Sequence, residues 1–188
     1  LDEVEVKGQR LYEIDRLPEY EGTNLWSGKK NEVINIQSLN ANIAEKTGRQ
    51  IFAKVPGVFV YDMDGSGNQM NVSTRGLDAH RGWEFNIRRN GAITNSDMYG
   101  YPASHYSIPM EAVDRIELVR GTGSLQYGAR FGGMLNYATK KPDSTRILSI
   151  ENITSVGSYG LLSTLLSASG KAGKIQYMDY YTKRVTDS

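Results

Sequence analysis

The chain has 188 residues, with 22 Lys and Arg against 21 Asp and Glu, and a net charge of +1 implies no partner recognised by global charge. No basic stripe dominates, so nucleic acid is not expected as a partner. It has no cysteine, so disulfides and thiol chemistry are excluded and histidines and carboxylates remain as metal-ligand types. A hydrophobic content of 39% with 20 glycines is polar for a packed soluble enzyme and favours a β-rich, loop-rich fold.

Leu1–Lys7 alternates Val4 and Val6 with acidic residues and reads as a short extended segment. It opens without an initiator Met or a signal pattern, as a mature or trimmed chain would. Residues 8–30 have weak periodicity and read as a loosely held linker. Asn31–Ser38, with Val33, Ile34 and Ile36, is a strand candidate. Asn40–Ala53 places Ile43, Ala44, Thr47, Ile51 and Phe52 on one face of a helix that Gly48 weakens and Pro56-Gly57 ends. Val58–Tyr61 is a short strand and Asp62–Gln69 a loop by composition. Asn71–Thr74 and Trp83–Arg88 are strands around an Arg75-Gly76 turn. Ala92–Ser107 is irregular and aromatic.

Asp114–Lys141 is the densest part of the sequence. Arg115–Arg120 forms one strand candidate and Met134–Ala138 another, with Gly121, Gly123, Gly128, Gly132 and Gly133 between them. So many glycines imply several tight turns that need positive φ or close backbone approach. After Pro142 the pattern changes. Thr145–Val156, Leu161–Ser169 and Ile175–Val185 are strand candidates separated by turns near 157–160 and 170–173. In the second, Leu162, Thr164, Leu166 and Ala168 share one face, and Ser163, Ser167 and Ser169 the other. Segments of this kind mark the strands of a membrane barrel, which leaves no apolar helix in the sequence.

Ile116, Glu117, Val119, Arg120, Gly121, Tyr127, Gly128, Gly132, Gly133, Leu135 and Asn136 match, in order and spacing, the closing motif of the plug domain of TonB-dependent outer-membrane receptors. Val55-Pro56-Gly57-Val58 resembles the family's "PGV" turn and Thr74-Arg75-Gly76-Leu77 its "IRG" motif. Asn86–Gly91 sits where the family has a strand ending in "DG". Tyr99-Gly100-Tyr101-Pro102 and Pro109–Val113 resemble the ferric-dicitrate subgroup.

The resemblance implies an α+β fold, a small mixed sheet with short helices and long loops, followed by the first strands of a transmembrane β-barrel. The expected division is a TonB-box-like segment and linker over 1–30, a plug over 31–142, and barrel strands over 143–188. Three strands cannot close a barrel, and plugged transporters use about 22. The implied function is active import of a ferric chelate, citrate or siderophore, with iron carried as part of the ligand and no cofactor of the protein's own. The implied partners are TonB, the chelate and the outer membrane of a Gram-negative cell, with the N-terminus periplasmic. Asp2, Glu3, Val4, Glu5 and Val6 would form the TonB box, a strand-pairing segment whose main-chain bonds tolerate sequence variation. Arg75 and Arg120 would lock the plug by pairing with glutamates on the barrel wall, a role that suits the bidentate guanidinium fork.

Asp64, Ser66, Asn68 and Gln69 lie on a loop expected to face arriving ligand, and Tyr99 and Tyr101 offer low-entropy contact surface. Arg81 and Arg89 would attract an anionic chelate, Arg89 from a solvent-facing turn beside Gly91. The Asp62–Asn68 run is an ordinary turn rather than a calcium loop, since position 12 is Ser73 instead of Glu. His80 and His105 lack paired-ligand spacing, and no P-loop, dinucleotide or hydrolase motif occurs, so a metal site and an enzyme are not expected. The alternative reading is a soluble α+β ligand-binding module using the Asp62–Gln69 and Asp97–Tyr106 loops.

Overall fold

The computed structural model describes residues 14–21, 24–26, 31–41, 43, 48–61, 71–96, 108–120, 126–128 and 130–187. In chain order the strands are β1 (Ile14–Asp15), β2 (Tyr20–Glu21), β3 (Asn24–Leu25), β4 (Asn31–Asn35), β5 (Val58–Tyr61), β6 (Asn71–Thr74), β7 (Phe85–Arg89), β8 (Ala92–Ile93), β9 (Val113–Val119), β10 (Gly133–Thr139), β11 (Ser149–Val156), β12 (Leu162–Ala172) and β13 (Ile175–Val185). Among the described residues, helix α1 spans Gly48–Ile51, and 3-10 turns cover Ile36–Ser38, His80–Gly82 and Met110–Ala112.

A mixed sheet in the order β1-β4-β9-β10-β7-β8 forms the centre. β9 pairs antiparallel with both β4 and β10, and β10 pairs parallel with β7. Side chains alternate across a strand, so each strand feeds both faces. Ile34, Ile116, Leu118, Leu135, Tyr137, Phe85 and Ile87 pack on one face against Ile51, Phe52, Val55, Val60 and Val72. Val33, Val119 and Met134 emerge on the other, where Leu17, Trp26 and Tyr127 complete a second, smaller core. Strands buried on two faces carry near-continuous apolar runs broken only by residues with a specific partner.

The second core corrects the expectation of a loose linker over 8–30. Ile14 and Asp15 pair with Ile34 and Val33, and β2 and β3 form a small hairpin. Leu17 and Trp26 are buried. Isolated anchors of this kind leave no periodicity, which is why the segment reads as a linker. The strand expected over 31–38 ends at Asn35 and tightens into a 3-10 turn. Of the helix expected over Asn40–Ala53, only Gly48–Ile51 is helical among the described residues; Asn40, Ala41, Ile43, Phe52 and Ala53 are coil, bend or turn, and residues 42 and 44–47 lie outside the described residues.

Two turns show why glycine is required. Asn90 and Gly91 join β7 to β8 with φ of 48° and 82°, the doubly positive geometry of a type I′ hairpin. At Gly133, φ is +117°, and a Cβ would sit 2.2 Å from the Val119 carbonyl oxygen. β10 can therefore reach β9 only without a side chain there.

β11, β12 and β13 form a separate antiparallel sheet. β11 begins at Ser149 rather than Thr145. Thr145 donates to Asp143 Oδ1 from its backbone N at 2.8 Å and its hydroxyl at 2.6 Å, a local turn that competes with the ladder. These bonds hold the Asp143 carboxyl below its ordinary pKa, helped by Arg146. In β12, Ser163, Leu165 and Ser167 are buried against the mixed-sheet domain, whereas Leu162 and Leu166 are exposed, Leu166 at 45%. Ile150, Val156, Tyr181 and Val185 are exposed on the neighbouring strands.

Candidate functional site

The polar half of the second sheet face is built around a buried acid. Glu117, 2% exposed, lies opposite Asn136 in the β9–β10 register. Its Oε2 accepts from Asn136 Nδ2 at 2.7 Å, and its Oε1 accepts from Arg115 Nε at 2.9 Å. Asn136 Oδ1 in turn accepts the Gly91 N–H at 2.9 Å, which ties the β7–β8 turn to the sheet. Both carboxylate oxygens are engaged, so Glu117 braces strands. A buried charge without such partners would be costly.

These residues floor a cavity of about 530 Å³, lined also by Arg88, Tyr127 and Lys140. Arg88 lies 5.2 Å from the Tyr127 ring centroid and donates to Asn86 Oδ1 at 2.7 Å and Gly91 O at 2.6 Å. Burial raises the Tyr127 phenol above its ordinary pKa, partly opposed by the Trp26 indole and by Arg88.

Arg120 leaves the end of β9 and is held inside the sheet domain. It pairs with Glu32 of β4 and donates from Nη1 to the Pro56 carbonyl at 3.0 Å. The Arg120 and Glu32 side chains are only 11% and 18% exposed. Arg75, at φ 60°, is exposed and donates to the Phe131 carbonyl. The partners seen for both arginines are thus groups of their own domain.

At the opposite end of the sheet, side chains meet the three-stranded sheet. The Arg89 guanidinium lies over the Tyr180 ring of β13, 5.4 Å from its centroid. Lys140 Nζ reaches both oxygens of Glu151 on β11 at 3.1 Å. Ser163 of β12 donates to Glu111 Oε1 at 3.3 Å, and both residues are buried. Arg89 was expected at a solvent-facing turn, but it is half-buried against Tyr180. The sequence shows that Arg89 precedes a turn; it cannot show that a strand some ninety residues later lies beneath it.

Asp64, Ser66, Asn68, Gln69, Tyr99, Tyr101 and the segment Asp2, Glu3, Val4, Glu5 and Val6 lie outside the described residues. Arg81 sits in the 3-10 turn His80–Gly82, and its side chain is likewise outside them. Among the described residues, no group of His, Asp and Glu is arranged to hold a metal ion. The sequence signals for Glu117 and Asn136 were their places in the glycine-rich motif; nothing there announced that they bond each other.

A protein-family model described as the TonB-dependent receptor plug domain matches residues 28–134. Among solved structures, the copper transporter OprC matches at 16% identity and TM-score 0.62, covering 87% of this chain and 25% of that one. The ferric enterobactin receptor PfeA of Pseudomonas aeruginosa matches at 22% identity and TM-score 0.57, covering 87% and 26%. The ferric citrate transporter FecA, in its unliganded form, matches at 22% identity and TM-score 0.50, covering 74% and 25%. At these identities the likeness is one of fold, and the chain spans about a quarter of the length of each of these structures. No curated protein matches the chain significantly.

Proposed function

The chain belongs to the TonB-dependent receptor plug-domain family, and from that premise we propose that it is the gate of an outer-membrane importer of a ferric chelate, powered by TonB. The plug would close the barrel that β11–β13 begin. The chelated iron is cargo, and the reading requires no bond chemistry of the protein.

The observation that carries this reading is the outward face of β12. Leu162 and Leu166 point outward and are exposed, while the inward face buries Ser163 and Ser167 beside Leu165. The sheet of a water-soluble module turns a mainly polar face outward; a barrel strand offers lipid exposed apolar side chains, as Leu162 and Leu166 are, and admits polar ones such as Ser163 and Ser167 on its inner face. The soluble ligand-binding module is disfavoured on the same ground.

The roles of the segments follow from this reading. Asp2–Val6 pairs with TonB as an added strand, with the N-terminus in the periplasm. Asp64, Ser66, Asn68 and Gln69, with Tyr99, Tyr101 and Arg81, form the plug's share of the ligand surface. The relatives' names mention copper, ferric enterobactin and ferric citrate, so the fold alone does not choose a cargo. A ferric chelate is favoured by the resemblance of 99–102 and 109–113 to the ferric-dicitrate subgroup.

The test is uptake of radiolabelled ferric citrate and a panel of ferric siderophores by cells carrying the full-length receptor, with and without TonB. Accumulation of one chelate that needs TonB is the expected result, and Val4→Pro or Val6→Pro abolishes it while binding persists. Recovery of the full-length protein in the soluble fraction, or uptake indifferent to TonB, would sink the proposal.

A further inference from the structure

We propose that Arg89, Lys140 and Glu111 latch one end of the plug to the first strands of the barrel wall, so that this end stays seated during import. The inference rests on the import reading for its consequence, but the latch itself stands on geometry. Arg89 is the last residue of β7, Lys140 follows β10, and Glu111 precedes β9. β7 and β10 run parallel and β9 runs against them, so all three residues lie at the same end of the sheet.

Their wall partners are ordered too. Glu151, Ser167 and Tyr180 are register partners, one row across β11, β12 and β13. Lys140 takes one end of that row and Arg89 the other, with buried Ser167 between them. Glu111 meets Ser163, which lies on the same face of β12. The three contacts differ in kind. The Lys140–Glu151 pair has a carboxylate that is 47% exposed and is screened by solvent. The Glu111–Ser163 bond is buried, and the Arg89–Tyr180 contact is a cation over a ring face. The latch therefore rests mainly on the last two.

The latched end is also tied covalently to β11, through residues 140–149.

The experiment uses the full-length receptor in proteoliposomes, with leakage of a small dye read in the absence of TonB and chelate. Arg89→Ala and Tyr180→Leu are each expected to raise leakage several-fold, and the double variant to leak no more than either. Arg89→Lys and Tyr180→Phe, which keep the cation and the ring, should stay near wild type. Additive effects of Arg89→Ala and Tyr180→Leu, failure of the conservative variants to rescue, or an Arg89→Ala receptor as tight as wild type would each overturn the latch. Leakage needs neither TonB nor cargo, so its failure is distinct from failure of the uptake test.

Discussion

Asn136 Nδ2 donates to Glu117 Oε2 across directly opposed positions of β10 and β9, and the acid is buried on both sides of that bond. The pair holds together the two strands that carry the glycine-rich motif. Asn136→Ala leaves one carboxylate oxygen without its donor and the Gly91 N–H without its acceptor. The expected cost is about 1–3 kcal/mol, the scale of an unsatisfied buried polar group. Urea unfolding followed by tryptophan fluorescence should show a lower midpoint with an unchanged slope; an unchanged midpoint would mean that water replaces the amide freely.

Gly133 and Gly91 both have positive φ, but only Gly133 is crowded. A Cβ at 133 meets the Val119 carbonyl at 2.2 Å, whereas one at 91 meets nothing within 4 Å. Gly91→Ala should cost about 1–2 kcal/mol, the strain of left-handed backbone alone. Gly133→Ala should cost clearly more, because backbone must move apart in the β9–β10 ladder. Equal midpoints for the two variants would refute the close-approach account.

The two faces of β12 should respond oppositely to charge. Leu166 is exposed on the outward face and Ser167 is buried on the inward one. In the assembled barrel, Leu166→Arg should destabilise by roughly 2–4 kcal/mol if it lies near the bilayer midplane. Leu166→Phe should be tolerated. The fraction of heat-modifiable, folded receptor on a gel reports this. A folded Leu166→Arg variant at wild-type yield would place that face away from lipid.

Tyr127 and Tyr137 are both raised above the ordinary tyrosine pKa of 10.0, chiefly by burial. A folded-state pKa above the unfolded value contributes stability that is fully present below pH ~10 and lost as pH rises through the folded value. The plug should therefore weaken on the alkaline side above pH ~10. Tyr137→Phe should reduce that loss, with melting temperatures measured from pH 8 to 11. Parallel pH profiles for wild type and variant would show that Tyr137 ionises as freely folded as unfolded.

Much of the fold was legible because strand periodicity and glycine spacing are local. Val58–Tyr61, Asn71–Thr74 and Ile175–Val185 coincide with the strands read from sequence, and on β12 Leu162 and Leu166 fall on the exposed face and Ser163 and Ser167 on the buried one, as its alternation defines, with Leu165 buried among the serines. Boundaries moved where a local turn competed with a ladder, as at Asp143–Thr145. The Leu17 and Trp26 anchors were illegible because single buried residues have no period.

By itself the sequence determined the family, the longer strands and their order along the chain, and the residue types able to bear charge at turns. Only the tertiary structure decided which charges meet. Arg120 pairs with Glu32, 88 residues away, and Arg89 lies over Tyr180. Pairing between distant strands depends on sheet order and register, which no local pattern encodes. The same composition with β4 or β13 in another place would leave those arginines facing different groups.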